Sequence, residues 1–505
     1  MQQGSGETVV NPCPVFARGL VGGCLDGPWA KPGAVMHRPE MTSVRSKELE
    51  SGDVVDITDT MDAFIAHNLD RYIGETTRLC AQPSVSATGE GVAVCADLVA
   101  EMLAGHGLAV QKLPTPGQPA VVGRAEGASE RTLLFYNHYD VQPPDPLEQW
   151  HSPPFEPTVR EGALYARGAA DDKGELVARL AALDAVRSAR GGSLPCNVTF
   201  VVEGEEEIGS PHIAAFVREH QDLLRCQGAL WEGGGINAEG QPVMTLGFRG
   251  ILAVELVLET MVVDAHSGLA HALPSAAWRL VRVLESLKGP DERVRVAGFY
   301  DAVRPPTARD LELLAEMPDE GPLWRELYGV RSFVLGREGA ALRRAVFEPT
   351  CTIQGITTGY QGQGPKTVIP SQAVAKIDFR LVPDQDPDKI YALLQAHLER
   401  EGFPEVDIIR TGSMWPAKTD AEDPLVALTT RTAEDVYGVP GLISPLGGGS
   451  SPVYAFARPL GVPVVHAGVG YWDNKGHAPN EHVRIIDFQQ GARHIARILD
   501  GFANL

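Results

Sequence analysis

Five clusters in this chain hold residue types that bind metal ions or move protons. The first, FYNHYDVQP (135–143), ends an apolar run on His138 and Asp140. Alternate residues of an extended chain point the same way, so an H-x-D pair aims an imidazole and a carboxylate at one point. That is how a metal ligand meets the group that orients it; a strand running out into a polar loop gives the same letters. The second, YARGAADDKGE (165–175), places Asp171 and Asp172 in a turn before a long helical stretch. The third, EGEEEIGS (203–210), emerges from the apolar VTFVV and carries Glu205, Glu206 and Glu207 in succession. Adjacent carboxylates repel unless positive charge lies beside them, and a pair of divalent metal ions supplies it. The fourth, WEGGG (231–235), begins Trp231-Glu232, and the fifth, KGHAPNEH (475–482), contains His477.

The elements around these clusters alternate. DAFIAHNLDRYIGETTRLC and GEGVAVCADLVAEMLAGHG have helical spacing. RTLLFYN reads as strand, DKGELVARLAALDAVRSAR as helix, NVTFVVEG as strand, SPHIAAFVREHQDLL as helix and GALWEG as strand. This rhythm predicts an α/β fold with a mostly parallel sheet flanked by helices. In such sheets sites form beyond the carboxyl ends of the strands, where the charged clusters fall.

Between residues 245 and 415 the order becomes β-α-β-β-α-β, through ILAVELVLET, SAAWRLVRVLESL, CTIQGITT, AVAKIDFRL, PDKIYALLQAHLERE and VDIIRT. That order predicts an inserted ferredoxin-like α+β unit acting as lid and dimerisation domain. The Pro- and charge-rich stretch from Lys288 to about Arg344 reads as an excursion within it. The expected division is a flexible arm over 1–55, a catalytic domain over 56–244 and 416–505, and the lid over 245–415.

With 505 residues the chain is too long for one ordinary core. A formal net charge of −21 argues against nucleic-acid and anionic-membrane partners. Seven scattered cysteines without a C-x-x-C pair predict reduced thiols and a cytoplasmic protein. No apolar run approaches the roughly 18 residues of a membrane span.

Taken in order, H-x-D, R-G-x-x-D-x-K-G, E-G-x-E-E-x-G-S, a later acidic residue, H-S-G and a late His before A-P-N-E resemble one family. It is the co-catalytic zinc amidohydrolases: carnosinase-type dipeptidases, bacterial glutamate carboxypeptidase, succinyl-diaminopimelate desuccinylase and acetylornithine deacetylase. The resemblance implies that Asp171 bridges two metal ions, with His138 and Glu232 completing one site and Glu207 and His477 the other. Two imidazoles and three carboxylates suit Zn2+, with Mn2+ or Co2+ tolerated. It further implies that Asp140 fixes the His138 tautomer and that Glu206 is the general base. Asp172 reads as a structural residue of the turn.

The same resemblance implies that His266, in VDAHSGLAHALP, stabilises the oxyanion, often from the partner subunit of a homodimer. The resemblance makes Arg380, in KIDFRLVPDQDP, an anchor for the substrate carboxylate by a bidentate contact; Lys366 and Thr367 of the nearby GPKTVIPS read as assisting it, or as a plain hairpin turn. LGGGSSPV (446–453) is not G-x-S-x-G, so Gly448, Gly449 and Ser450 read as a close-approach loop lining the pocket and not as a serine nucleophile's site. The chain departs from carnosinase-like members at Leu446-Gly447, at His271-Ala272 after H-S-G, and at Glu232, where Asp is commoner. The expected function is metal-dependent hydrolysis of an amide bond in dipeptides or short peptides. The alternatives are an N-acyl-amino-acid deacylase with the same metals and a non-catalytic metal-binding protein.

Overall fold

The strand Ser129–His138 is buried along its last six residues, from Leu133 to His138. Its alternate side chains enter different cores: Leu133 and Phe135 join one apolar cluster, Leu134 and Tyr136 another. A strand buried on both faces needs helices above and below it. The computed structural model describes residues 56–505 and supplies them; the arm expected over 1–55 lies outside the described residues. Helices Lys173–Ala189 and Ile485–Phe502 build the first cluster, and the shorter Ile213–Glu219 and Tyr454–Leu460 the second.

Six strands form the main sheet, in the order Ala109–Leu113, Ala120–Ala125, Cys196–Glu203, Ser129–His138, Gly228–Trp231, Val464–His466. The last four run parallel, as the alternating pattern predicts. The first two run antiparallel and make a hairpin at one edge. Sequence reading passed over that hairpin because Ala109–Leu113 is an edge strand with no fully buried residue, so its apolar signal is weak. The helix expected over SPHIAAFVREHQDLL shortens to Ile213–Glu219, and the strand expected over VPVVHAGVG to Val464–His466.

A second sheet orders its strands Thr350–Thr358, Gln372–Leu381, Gly250–Glu259, Asp407–Met414, all antiparallel. Gly250–Glu259 alternates buried and half-buried residues along its length, so one face enters a core. Leu252, Val254, Leu256 and Leu258 pack there with helices Ala276–Leu287 and Pro387–Arg400. Asp386 caps the second helix through the amides of Asp388 and Lys389, with Pro387 in its first turn. The excursion between these elements holds three short helices, Ala308–Glu316, Gly321–Tyr328 and Gly339–Arg344. Among the described residues no helix is long and apolar enough to cross a membrane.

Candidate metal centre

Three of the clusters sit where a parallel strand of the main sheet ends. His138 is the last residue of its strand, Glu232 follows Trp231, and the helical turn Glu206–Ile208 follows Cys196–Glu203. Gly204 makes that last connection possible: a Cβ there would lie 2.4 Å from the Tyr139 ring. Asp171 precedes helix Lys173–Ala189, and His477 lies in the loop before helix Ile485–Phe502.

The side chains converge. His138 Nε2 lies 3.0 Å from Asp171 Oδ1 and 3.4 Å from Glu232 Oε2. His477 Nε2 lies 2.9 Å from Asp171 Oδ2 and 3.1 Å from Glu207 Oε2. Asp171 therefore turns one carboxylate oxygen to each imidazole. Two donor groups result, His138 with Glu206 and Glu232, and Asp171 with Glu207 and His477, the donor atoms of each within 4.8 Å of one another.

The pKa shifts reflect how much negative charge the cluster gathers. Burial raises the pKa of Glu232 well above the carboxylate range and that of Glu206 to about 7. The hydrogen bonds of Asp171 and Glu207 raise His477 to about 10. Burial opposes the charged form of His138, yet Glu232, Asp140 and Asp171 drive its pKa upward. Burial works against Asp171 as well, and the two imidazoles hold it below the usual carboxylate range. Except at Asp171, which the imidazoles keep ionised, the shifts favour the protonated form, so protons offset the negative charge of the crowded carboxylates. Among the described residues, buried Glu232 Oε2 has no hydrogen-bond partner. Divalent cations fit this donor set: they would replace the protons and satisfy the orphaned oxygen.

Behind the donors, Asp140 does more than its expected task. His138 Nδ1 lies 3.0 Å from the Asp140 carbonyl oxygen and 3.4 Å from its carboxylate. The carboxylate itself accepts from the amides of Glu206 and Glu207, at 3.2 and 3.0 Å, clamping two clusters together. Asp172 turns away and accepts from Asn137 Nδ2 and the His138 amide, a structural role in keeping with its reading.

Sequence reading assigned nothing to Glu481, although it quoted the motif that contains it. This carboxylate is fully buried and accepts from Arg167 at 2.6 Å and from the amides of Gly168, Ala170 and Asp171. It knots the turn that presents Asp171. Glu481→Gln should weaken metal binding about 10–100-fold, as loss of an orienting partner does. It should also destabilise the fold by about 3–5 kcal/mol, because Arg167 is left buried without its counter-charge. Metal titration and thermal unfolding measure the two effects separately; unchanged metal affinity would make Glu481 purely structural.

Residues 134–501 match peptidase family M20/M25/M40. The chain belongs to that family. It is a metallopeptidase, and its relatives span most of its length. It is 27% identical over 407 residues to a Cys-Gly metallodipeptidase of Schizosaccharomyces pombe, covering 77% of this chain and 83% of that protein. It is 27% identical to the human Beta-Ala-His dipeptidase, covering 78% of this chain and 79% of the relative. The crystal structure of an M20 family metallo-carboxypeptidase from Sulfolobus solfataricus superposes with a TM-score of 0.80 at 34% identity, covering 86% of this chain and 99% of the other.

In this M20 peptidase Asp171, Glu206, Glu232 and His477 line a cleft of about 510 Å³, lined also by Phe248 and Ser451. One residue along the loop, Ser450 Oγ accepts from Arg380 Nη1 at 2.8 Å, and Gly449 O accepts from the Arg249 amide. Arg380 thus meets the G-G-S loop directly. His266, Lys366 and Thr367 form a separate group. His266 pairs across a short ladder with Val368, and the Ser267 amide donates to Thr367 O. All three are exposed, and among the described residues none lines the metal cleft.

Proposed function

We propose that this M20 peptidase hydrolyses the peptide bond of dipeptides with two metal ions, most suitably Zn2+, with Mn2+ or Co2+ tolerated. The observation that carries the reading is Asp171, whose two oxygens each face a different imidazole at 3.0 and 2.9 Å. One carboxylate so placed serves both sites: His138 and Glu232 complete one, Glu207 and His477 the other. When bound, the ions polarise the scissile carbonyl and lower the pKa of the attacking water towards about 7.

The chain's own groups do the rest. Glu206 reaches the same cleft but is spared as a ligand, and it takes the proton of the attacking water. It then delivers that proton to the leaving amine, so one carboxyl serves as base and then acid. Its pKa, raised by burial to about 7, suits both tasks. Arg380, held by Ser450 beside Gly449, pairs with the C-terminal carboxylate of the substrate; among the described residues Lys366 and Thr367, grouped with His266 away from this cleft, do not line it. Arg380→Lys keeps the charge but loses the planar fork. Its kcat/KM on a dipeptide should fall about 10–100-fold, with little change on the corresponding C-terminal amide. Equal cleavage of dipeptide and amide by the wild type would favour a broader amidase or an N-acyl deacylase.

The second sheet acts as lid and dimerisation domain in this reading. Its edge strand Thr350–Thr358 exposes Ile353 and Ile356, and a two-fold pairing of copies covers such an edge. His266, exposed and apart from its own cleft, then stabilises the oxyanion in the partner's site. Mixed His266→Ala and Glu206→Gln chains, each inactive alone, should regain activity on subunit exchange, because a hybrid dimer has one intact site. A monomer in sedimentation, or exchange without recovery, would end this arrangement. Five cysteines among the described residues are free and buried, which suits a reducing, cytoplasmic setting.

A further inference from the structure

A cavity of about 1160 Å³, larger than the metal cleft, lies between the three short helices of the excursion and the start of strand Thr350–Thr358. Two chain segments join it to the cleft. Thr245 and Phe248 line the cleft while Arg249 lines the cavity; Ser451 lines the cleft while Gly447 and Gly448 line the cavity. Ser450, which holds Arg380, sits at that junction.

Five cations, Arg249, Lys288, Arg293, Arg337 and Arg343, and five carboxylates line this cavity, and they are not all paired with one another. Of its carboxylates, Glu292 pairs with Lys288 and Glu348 with Arg337. Asp291 and Asp319 accept from the amides of Arg293 and Gly321, and burial raises the pKa of Glu320. Of the three arginines left without a carboxylate within salt-bridge distance among the described residues, Arg293 stacks on the Tyr300 ring, whereas Arg249 and Arg343 each keep a buried Nε without a hydrogen-bond partner. Arg249 is only 8% exposed, and its Nη2 is held by Glu348 O at 2.8 Å, with Thr350 Oγ1 and Arg380 O each at 3.3 Å. Burial and the neighbouring Arg380 pull its pKa down to about 10. Two cations so close, one of them buried, are satisfied by an anion with two negative groups. The opposite wall, with Leu314, Trp324, Phe333 and Leu342, accommodates the methylenes of a long side chain.

We propose that this cavity is the pocket for the residue on the C-terminal side of the scissile bond, and that it takes a side chain bearing a second carboxylate. Arg380 holds the α-carboxylate, and Arg249 with Arg343 holds the side-chain carboxylate. The inference rests on the dipeptidase reading and narrows its substrate class to dipeptides ending in an acidic residue.

The test compares Ala-Glu with Ala-Ala as substrates of the metal-loaded full chain and of its Arg249→Gln and Arg343→Gln variants. The wild type should favour Ala-Glu, and the ratio of the two kcat/KM values should fall about 10–100-fold in each variant. Arg249 also holds backbone carbonyls, so if its variant fails to fold, Arg343→Gln decides alone. Cleavage of Ala-Ala as fast as Ala-Glu, or ratios unchanged in the folded variants, overturns the acidic pocket and leaves the dipeptidase reading standing. Cleavage of neither substrate overturns both.

Discussion

Glu206→Gln should keep both metal ions and lose about 10²–10⁴-fold in kcat. The amide side chain is isosteric and, in the proposed arrangement, touches no ion, so elemental analysis should match the wild type. What disappears is the proton acceptor for the attacking water. The Glu206 amide still donates to Asp140, so the turn that presents Glu207 is kept. A fully metallated variant with near-normal turnover would remove Glu206 from the mechanism. Loss of metal instead would make it a ligand, in line with its place beside His138 and Glu232.

Asp171→Asn should lower activity further, to the level of metal-free protein. A ligand that faces both imidazoles contributes to both sites, so neutralising it weakens each. Losing even an orienting partner costs about 10–100-fold in metal affinity, and loss of a shared ligand should exceed that at both sites. Chelated wild type should recover when Zn2+ is restored; the variant should not at the same concentration. Retention of two tightly bound ions by Asp171→Asn would show that the carboxylate does not bridge. His138→Ala and His477→Ala should each weaken chiefly one site, so the three variants together separate a shared ligand from private ones.

Much of this was legible because it is local. His138 falls at a strand end because LLFYNH is apolar until that point, and an H-x-D spacing directs both side chains alike. Glu206 and Glu207 directly follow VTFVVEG, and the alternating βαβ rhythm already puts every such terminus at one edge of the sheet. Residue type, strand end and chain order therefore sufficed to name the cluster. The hairpin Ala109–Ala125 and the helices of residues 308–344 escaped notice for an equally local reason: a half-exposed edge strand and helices of six to nine residues carry too little periodicity to register.

Contacts between distant segments were another matter. Glu481 lies over 300 positions from the turn it ties, and Arg179 reaches from its helix to Asn137 and the carbonyls of Tyr136 and Trp231. In the sequence each is only a charged residue in an apolar or loop context. Burial converts them into parts of the site, since a buried charge must find partners and those partners are whatever packing brings near. The cation pair Arg249 and Arg380 has the same origin: their neighbourhood depends on the antiparallel register that sets Ile251 opposite Arg380, which no spacing along the chain encodes. The sequence by itself determined which acidic and imidazole groups could ligate, and that His138, Glu206, Glu207 and Glu232 stand at or just after strand ends. Tertiary structure alone decided which distant charges hold them there and where unpaired charge remains, because register and packing are properties of the folded chain as a whole.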